Sequence, residues 1–296
     1  MSTTGVLARE TESAFLPLRR WMPSLRHRRG RTVAAITACA GFILLILFLG
    51  LAVGRSGLET SLGQRNLSPG AGHLFGTDWL GRDMVTRVLL GLRLSLAVGL
   101  GAAAVSSVLG LVLGLSAAVL GGKVDLFVTW LVDLFLSLPH LVFQILICFA
   151  AGGGMPGVVV AVAITHWPGI ARIIRAEALH LKTNDYVKAS PKLGRSKAWV
   201  ARRHLFPHLV PQFLVALILM FPHAIAHEAA LSFIGIGLTP HLPSIGILLG
   251  ESLRHLSTGY WWLAVIPGAA LLLMVKAFDI LGENIRSLVN PRTSQE

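Results

Sequence analysis

Residues 172–204 read RIIRAEALHLKTNDYVKASPKLGRSKAWVARRH, a basic stretch that lies between two long apolar runs. It carries nine lysines and arginines, opposed by Glu177 and Asp185. Positive charge concentrates in the cytoplasmic loops of membrane proteins. The stretch, called the basic segment below, therefore predicts a cytoplasmic loop between two membrane spans.

The composition of the whole chain indicates that lipid is its solvent. Of its 296 residues, 54% are hydrophobic and 14% are charged, and the mean hydropathy is +0.69, whereas soluble domains carry about 25% charged residues. The net charge of +12 does not indicate a nucleic-acid partner, because the basic residues flank apolar runs. Cys39 and Cys148 lie inside apolar stretches and match no disulfide or metal-ligand spacing.

Six apolar runs approach bilayer length at about 1.5 Å per residue. The sequence thus predicts an all-α, polytopic membrane protein with both termini in the cytoplasm. The predicted spans are 33–53, 94–120, 124–150 (bent at Pro139), 158–173, 205–234 and 264–281.

The spans and loops divide the chain into five expected regions. These are a cytoplasmic arm (1–32), a first transmembrane helix (33–53), an external loop with an interfacial helix from about residue 82 (54–93), a core of five transmembrane helices (94–285) containing the loop 174–204, and a cytoplasmic tail (286–296).

The basic segment contains a short polar helix followed by a glycine turn at Gly194, and Pro207 opens the next helix. Such a helix suits a groove on a soluble partner, and an ordinary basic loop is the alternative. The segment resembles the "EAA" loop of binding-protein-dependent ABC importer permeases, which reads Glu-Ala-Ala, three residues, Gly, nine residues, Ile-x-Leu-Pro. Ala189, Gly194 and Pro207 match this pattern, whereas Lys188 and Ser190 depart from it.

Further departures are His204 and Phe206, and Pro191 is unusual inside a helix. The resemblance implies that this loop couples the chain to ATPase subunits. The residues to which it assigns this role are Asp185, Tyr186, Lys188, Ala189, Ser190, Leu193, Gly194 and Pro207.

A second stretch, HLFGTDWLGRD at 73–83, resembles the H-x-FGTD-x-x-GRD signature of the second permease of the peptide/opine/nickel ABC importer family. Residues 228–238 and 278–290 are similar to the end of that family's fifth span and to its C-terminus, so the resemblance covers about residues 30–292. The signature residues are Gly76, Thr77, Asp78, Gly81, Arg82 and Asp83.

The resemblance implies a type I ABC importer permease in the bacterial inner membrane. It implies as partners a homologous second permease, two ATPases and an external substrate-binding protein. ATP and Mg²⁺ would bind the ATPases, and this chain would hold no cofactor and catalyse no reaction. The sequence agrees with this division, because it contains no G-x-x-x-x-G-K-[ST] phosphate loop.

Histidines bear on the substrate. His223 and His227 lie one turn apart on one helix face and could share a borderline metal ion such as Ni²⁺, or hydrogen-bond across helices. The nickel-importing branch is similar in carrying such a pair, and a His-Trp pair that His166 and Trp167 match. We therefore expect a pathway along these four residues and Glu228, with nickel or a metal chelate as substrate and transient metal binding at His223 and His227.

Three alternatives to a nickel-importing permease remain. Within the family, the substrate would be a di- or oligopeptide. A stand-alone secondary transporter would show inverted repeats, which the sequence lacks. A membrane hydrolase would need a catalytic constellation, and His227-Glu228 fails the H-E-x-x-H pattern because Leu231 occupies the second histidine position.

Asp133, inside the third span, is either a polar contact to a partner or a pathway residue.

Overall fold

Helices form all of the regular secondary structure in the described part of the chain, apart from one isolated bridge between Thr77 and Asp83. The computed structural model describes residues 26–238 and 242–289. Most of the arm predicted over 1–32 and the end of the tail predicted over 286–296 lie outside these residues.

The chain order of the helices follows the predicted spans closely. The helices are α1 (Arg26–Ala52), α2 (Met84–Leu120), α3 (Gly122–Ser137), α4 (His140–Ala150), α5 (Gly154–Leu181), α6 (Asp185–Lys192), α7 (Lys197–Val200), α8 (Phe206–Phe233), α9 (Ile245–Leu253) and α10 (Trp262–Val289), with a π-helical turn at Ala201–Leu205 between α7 and α8.

Among the described residues, five helical stretches are long and apolar enough to cross a membrane: α1, α2, α5, α7–α8 taken together, and α10. The pair α3 and α4 adds a sixth span if it is counted as one crossing. The predicted all-α membrane fold is therefore confirmed. In lipid this fold follows from the backbone, because every N–H and C=O group must find its partner within the segment.

α1 (Arg26–Ala52) contains the first predicted span, 33–53, except for its last residue. One predicted element differs from the structure. The interfacial helix predicted over 82–93 is not a separate element, because α2 runs without a break from Met84 to Leu120. Asp83 starts this helix, since its carboxylate accepts a hydrogen bond of 2.9 Å from the backbone N–H of Thr86.

The third predicted span is broken rather than bent. α3 and α4 meet at 101°, with Leu138 in an extended conformation between them (φ −82°, ψ 143°). The cause is local, because a proline pushes the preceding residue out of the helical region, and Pro139 follows Leu138. The break places His140 at the first turn of α4.

α2 is the central helix of the bundle, and its glycines let neighbouring backbones approach. A Cβ at Gly99 would meet Ile225 of α8 at 2.7 Å, and a Cβ at Gly110 would meet the Trp167 carbonyl of α5 at 2.9 Å. At Gly114 it would clash with the backbone of Ala171. Small residues at such contacts are how membrane helices pack closely, because lipid supplies no hydrophobic drive between them.

The loop of residues 54–83, called the signature loop, folds over the N-terminal end of α2. Its sharpest turn needs Gly81, which has φ of +79° and whose Cβ would overlap the carbonyl of Ser61. α9 packs beside it and presents Glu251. The sequence did not predict α9, because residues 236–259 are short of bilayer length and rich in glycine and proline.

An ionic network inside the signature loop joins it to α2 and α9. The carboxylate of Asp78, only 1% exposed, accepts hydrogen bonds from Arg82 Nε and Arg87 Nη1, both at 2.6 Å. Arg87 also donates to Glu251 at 2.8 Å. The backbone N–H groups of Leu80 and Arg82 complete the shell of Asp78.

The glycine contact of α2 gives a first prediction. Gly114→Ala should lower the free energy of unfolding by about 1–3 kcal/mol, the usual cost of overpacking. Gly101→Ala is the matched control on the same helix, because nothing lies within 4 Å of its Cβ, and it should be neutral or stabilise by roughly 0.5–1 kcal/mol. Thermal unfolding in detergent measures both, and equal melting temperatures for the two variants would show that the close approach is absent.

The network at Asp78 gives a second prediction. Asp78→Asn should destabilise the chain by about 3–5 kcal/mol, because it leaves two guanidinium groups facing a neutral partner in a buried site. Glu283→Gln is the control, since it breaks the exposed pair Arg286–Glu283 and should cost about 0–1 kcal/mol. Chemical unfolding of the detergent-solubilised variants measures the difference, and a mild Asp78→Asn phenotype would argue against a folding role for the network.

Candidate functional site

Three histidines from three helices meet inside the bundle. They are His140 of α4, His166 of α5 and His227 of α8, called the histidine cluster below, and one ring nitrogen of each lies within 4.8 Å of the others. The ring centroids are 4.6–4.9 Å apart and the ring planes cross at 64–88°. All three side chains are partly exposed, so the cluster borders a surface rather than a sealed core.

Local structure fixes each member of the cluster. The helix break at Pro139 sets the direction of α4 and hence of His140. His166 donates from Nδ1 to the carbonyl of Val162 at 2.9 Å. On α8, Ile225 packs against Gly99 of α2, which sets the depth of His227 two residues later.

Two buried polar side chains, Gln144 of α4 and Thr165 of α5, connect these helices next to the cluster. Gln144 lies one turn after His140 and is fully buried, and its amide nitrogen donates to Thr165 Oγ1 at 3.0 Å. Thr165 precedes His166, and its hydroxyl lies 3.2 Å from His166 Nδ1. α4 and α5 are therefore held in register next to the two histidines that they carry.

The cluster differs from the predicted pair. His227 and His166 belong to it as pathway residues expected from the sequence, but His223 is exposed on α8 and lies outside the group. His140 was missed, because no local sequence signal connects it with residues on α5 and α8. The group shares His227 with the predicted metal pair, and metal binding by His223 and His227 stays a prediction.

Three further residues that the sequence singled out lie apart from the cluster. Trp167 is buried against Phe135 of α3, with ring centroids 5.5 Å apart. Glu228 is fully buried and accepts a hydrogen bond of 2.8 Å from Ser232. Asp133 is exposed on α3. Trp167 and Glu228 are thus buried between helices of this chain, and their place on the pathway stays a prediction.

α6 forms the predicted short polar helix of the basic segment. It runs through Pro191 to Lys192, so the proline does not shorten it. Gly194 follows in the left-handed conformation at φ +78°, as a helix C-terminus requires. Pro207 lies in the first turn of α8, directly after the π-helical turn, and its missing N–H removes one hydrogen bond from this continuous helical stretch.

The two faces of α6 differ. Val187 and Ser190 are buried, and the hydroxyl of Ser190 lies 2.9 Å from His204 Nε2 in the π-helical turn. The ring of Tyr186 packs edge-on against His204 at 5.3 Å. The remaining predicted coupling residues are exposed, namely Asp185, Lys188, Ala189, Leu193 and Gly194.

The basic segment is attached to the C-terminal end of α2. Lys182 donates to the carbonyl of Ala118 at 2.7 Å and Lys197 to that of Leu120 at 3.2 Å. The last carbonyls of a helix lack intrahelical partners and carry partial negative charge, so lysines stabilise them. A cavity of about 260 Å³, lined mainly by apolar side chains, separates α6 from this attachment.

The signature residues all lie in the signature loop. Gly76 and Gly81 have positive φ, Thr77 donates to the carbonyl of Gln64, and Asp78 and Arg82 form the ionic network. Asp83 caps α2 and also contacts His73 Nδ1 at 3.1 Å. Each signature residue therefore has a folding role at the end of α2 opposite to the basic segment.

Comparison with known proteins agrees with a membrane permease that carries the signature loop and the basic segment. A family model described as "Binding-protein-dependent transport system inner membrane component" matches residues 110–295. The chain is 35% identical over 261 residues to the dipeptide transport system permease protein DppC of Bacillus subtilis (strain 168), covering 86% of this chain and 82% of that protein. It is 31% identical over 261 residues to the probable D,D-dipeptide transport system permease protein DdpC of Escherichia coli (strain K12), covering 88% and 87%.

A crystal structure of an amino acid ABC transporter with histidines has a similar fold. The TM-score is 0.52 at 20% identity, and the match covers 72% of this chain and 95% of that one. Together with the helical bundle, the signature loop and the basic segment, these matches establish that the chain belongs to the binding-protein-dependent transport system inner membrane components, as a permease subunit of the peptide/opine/nickel class of ABC importers.

Proposed function

We propose that this chain is the second permease of an importer that moves di- or oligopeptides across the bacterial inner membrane, driven by ATP hydrolysis in partner subunits. The observation that carries the proposal of an ATP-driven importer is the exposed face of α6, close to the C-terminal end of α2. A family permease works with ATPase and substrate-binding subunits, and α6 offers the ATPases a short helix with accessible side chains. Hydrolysis belongs to those partners, since this sequence has no phosphate-binding loop.

The geometry of α2 supports transmission of force along the bundle. This helix of 37 residues spans roughly 55 Å at 1.5 Å per residue, from the signature loop to the basic segment. Lys182 and Lys197 attach the basic segment to its C-terminal carbonyls, and its glycines contact α5 and α8. Movement of α6 by the ATPases would therefore reach the helices that carry the histidines.

The assembly that we propose has two ATPases, a homologous second permease and an external substrate-binding protein. The basic segment would face the cytoplasm, as its lysines and arginines favour, with both termini on the same side. The signature loop would then face the binding protein. The partly exposed histidine cluster suits a pathway whose opposite wall comes from the second permease.

A peptide is the substrate that the relatives favour, although the histidines of the sequence favour nickel or a metal chelate. The proteins named above are dipeptide and D,D-dipeptide permeases, and an oligopeptide permease, OppC of Bacillus subtilis (strain 168), is 29% identical over 278 residues. A metal chelate is the second candidate substrate, since the histidine cluster gives the chain three imidazoles where a substrate could pass.

The coupling role predicts a specific effect at Leu193, whose side chain is 79% exposed. Leu193→Ala should weaken the affinity of the permease for the ATPase subunits by roughly tenfold, as truncation of an apolar interface anchor does. Leu74→Ala removes a leucine that is 72% exposed in the signature loop and should leave that affinity unchanged. Titration of the purified ATPase onto permease in nanodiscs measures both, and equal affinities would exclude α6 as the contact.

The substrate proposal predicts uptake of peptide. Proteoliposomes that contain both permeases and both ATPases, supplied with the binding protein, should accumulate a labelled dipeptide in the presence of ATP. They should not do so with a non-hydrolysable ATP analogue. Uptake of labelled Ni²⁺ in the absence of peptide uptake would make the metal chelate the substrate, and uptake of either without ATPase subunits would indicate a secondary transporter.

A further inference from the structure

We propose that His140, His166 and His227 form a binding site for a divalent transition-metal ion of borderline softness, such as Zn²⁺ or Ni²⁺. The site shares His227 with the pair that the sequence indicates, but its other ligands are His140 and His166 rather than His223. It goes beyond the proposed function, because it holds whether the imported substrate is a peptide or a chelate.

The ring geometry permits convergence on one ion. Tetrahedral coordination at about 2.0–2.1 Å per nitrogen places ligand atoms roughly 3.4 Å apart. The nitrogens of the cluster lie within 4.8 Å of one another, so small rotations of the side chains close the difference. The ring planes cross at 64–88°, so the three imidazoles are not stacked face to face.

His166 donates a hydrogen bond from Nδ1, which leaves its Nε2 free to bind a metal ion. A carbonyl can only accept, so the contact of 2.9 Å with Val162 means that Nδ1 of His166 carries the proton. Nε2 then keeps its lone pair. This is the usual outer-shell arrangement of metal-binding histidines, in which the second ring nitrogen is fixed by a backbone carbonyl or a carboxylate.

The hydrogen bond between α4 and α5 supports preorganisation of the proposed metal site. Gln144 is fully buried and connects α4 to α5 through Thr165, one turn from His140 and next to His166. Its carbonyl oxygen has no hydrogen-bond partner among the described residues. A polar side chain held in this way inside a membrane bundle is costly, and it restrains both histidine-bearing helices beside the site.

The donor set selects the ion. The group contains imidazoles and no carboxylate, and imidazole suits Zn²⁺, Ni²⁺ and Cu²⁺, whereas Mg²⁺ and Ca²⁺ need oxygen ligands. Three protein ligands leave at least one coordination position open, as in catalytic rather than structural zinc sites. Because the side chains are partly exposed, that position is accessible to water or to a donor atom of a passing molecule.

Metal binding by the assembled transporter in nanodiscs tests the proposal. The permease complex should bind one Co²⁺ or Ni²⁺ per copy of this chain, and X-ray absorption of the loaded complex should show three imidazole ligands. His140→Gln and His166→Gln should each weaken binding about 100-fold or more, since loss of even an outer-shell partner costs about 10–100-fold. His180→Gln, an exposed histidine of α5, controls for binding to surface histidines and should bind as the parent does.

His223→Gln separates this site from the pair read from the sequence and should leave the metal affinity within about twofold. Loss of binding in His223→Gln with retention in His140→Gln would overturn the proposal. So would absorption spectra of the unaltered complex that contain fewer than two imidazoles, a result that does not depend on any variant folding. ATPase activity of each complex checks assembly, and peptide uptake is scored separately, so failure of metal binding leaves the proposed function standing.

Discussion

The close approach of α2 to α5 and α8 is the contact on which the rest of the structure depends. Lipid gives helices no hydrophobic reason to associate, so their packing rests on shape and dispersion. Gly99, Gly110 and Gly114 remove the side chains that would keep the backbones apart. One helix thereby contacts the elements that carry His166 and His227, and its position sets theirs.

The two ends of α2 are chemically different. At the N-terminal end, Asp83 caps the helix and Arg87 joins the signature loop to α9. At the C-terminal end, Lys182 and Lys197 occupy the free carbonyls. α2 thus connects the signature loop with the basic segment, and in the proposed importer these two ends would face the binding protein and the ATPases.

The sequence predicts local features well and long-range ones poorly. Apolar runs, the helix at 185–192 and the interruption at Pro139 are visible because each depends on neighbouring residues. The spacing of His223 and His227 also gave a local signal, but the structure groups His227 with His140 and His166, which lie far away in the chain. A single sequence does not tell which helix faces meet. The network from Asp78 to Glu251 was missed for the same reason.

Accessibility of α6 is the most direct measurement of whether the basic segment faces the ATPases. Leu193→Cys, placed in a chain whose Cys39 and Cys148 are replaced by serine, is treated with a membrane-impermeant maleimide. Labelling should occur in inverted vesicles but not in intact spheroplasts, and bound ATPase subunits should protect the thiol. Labelling of intact spheroplasts, or unchanged labelling when the ATPases are bound, would contradict the coupling role of this helix.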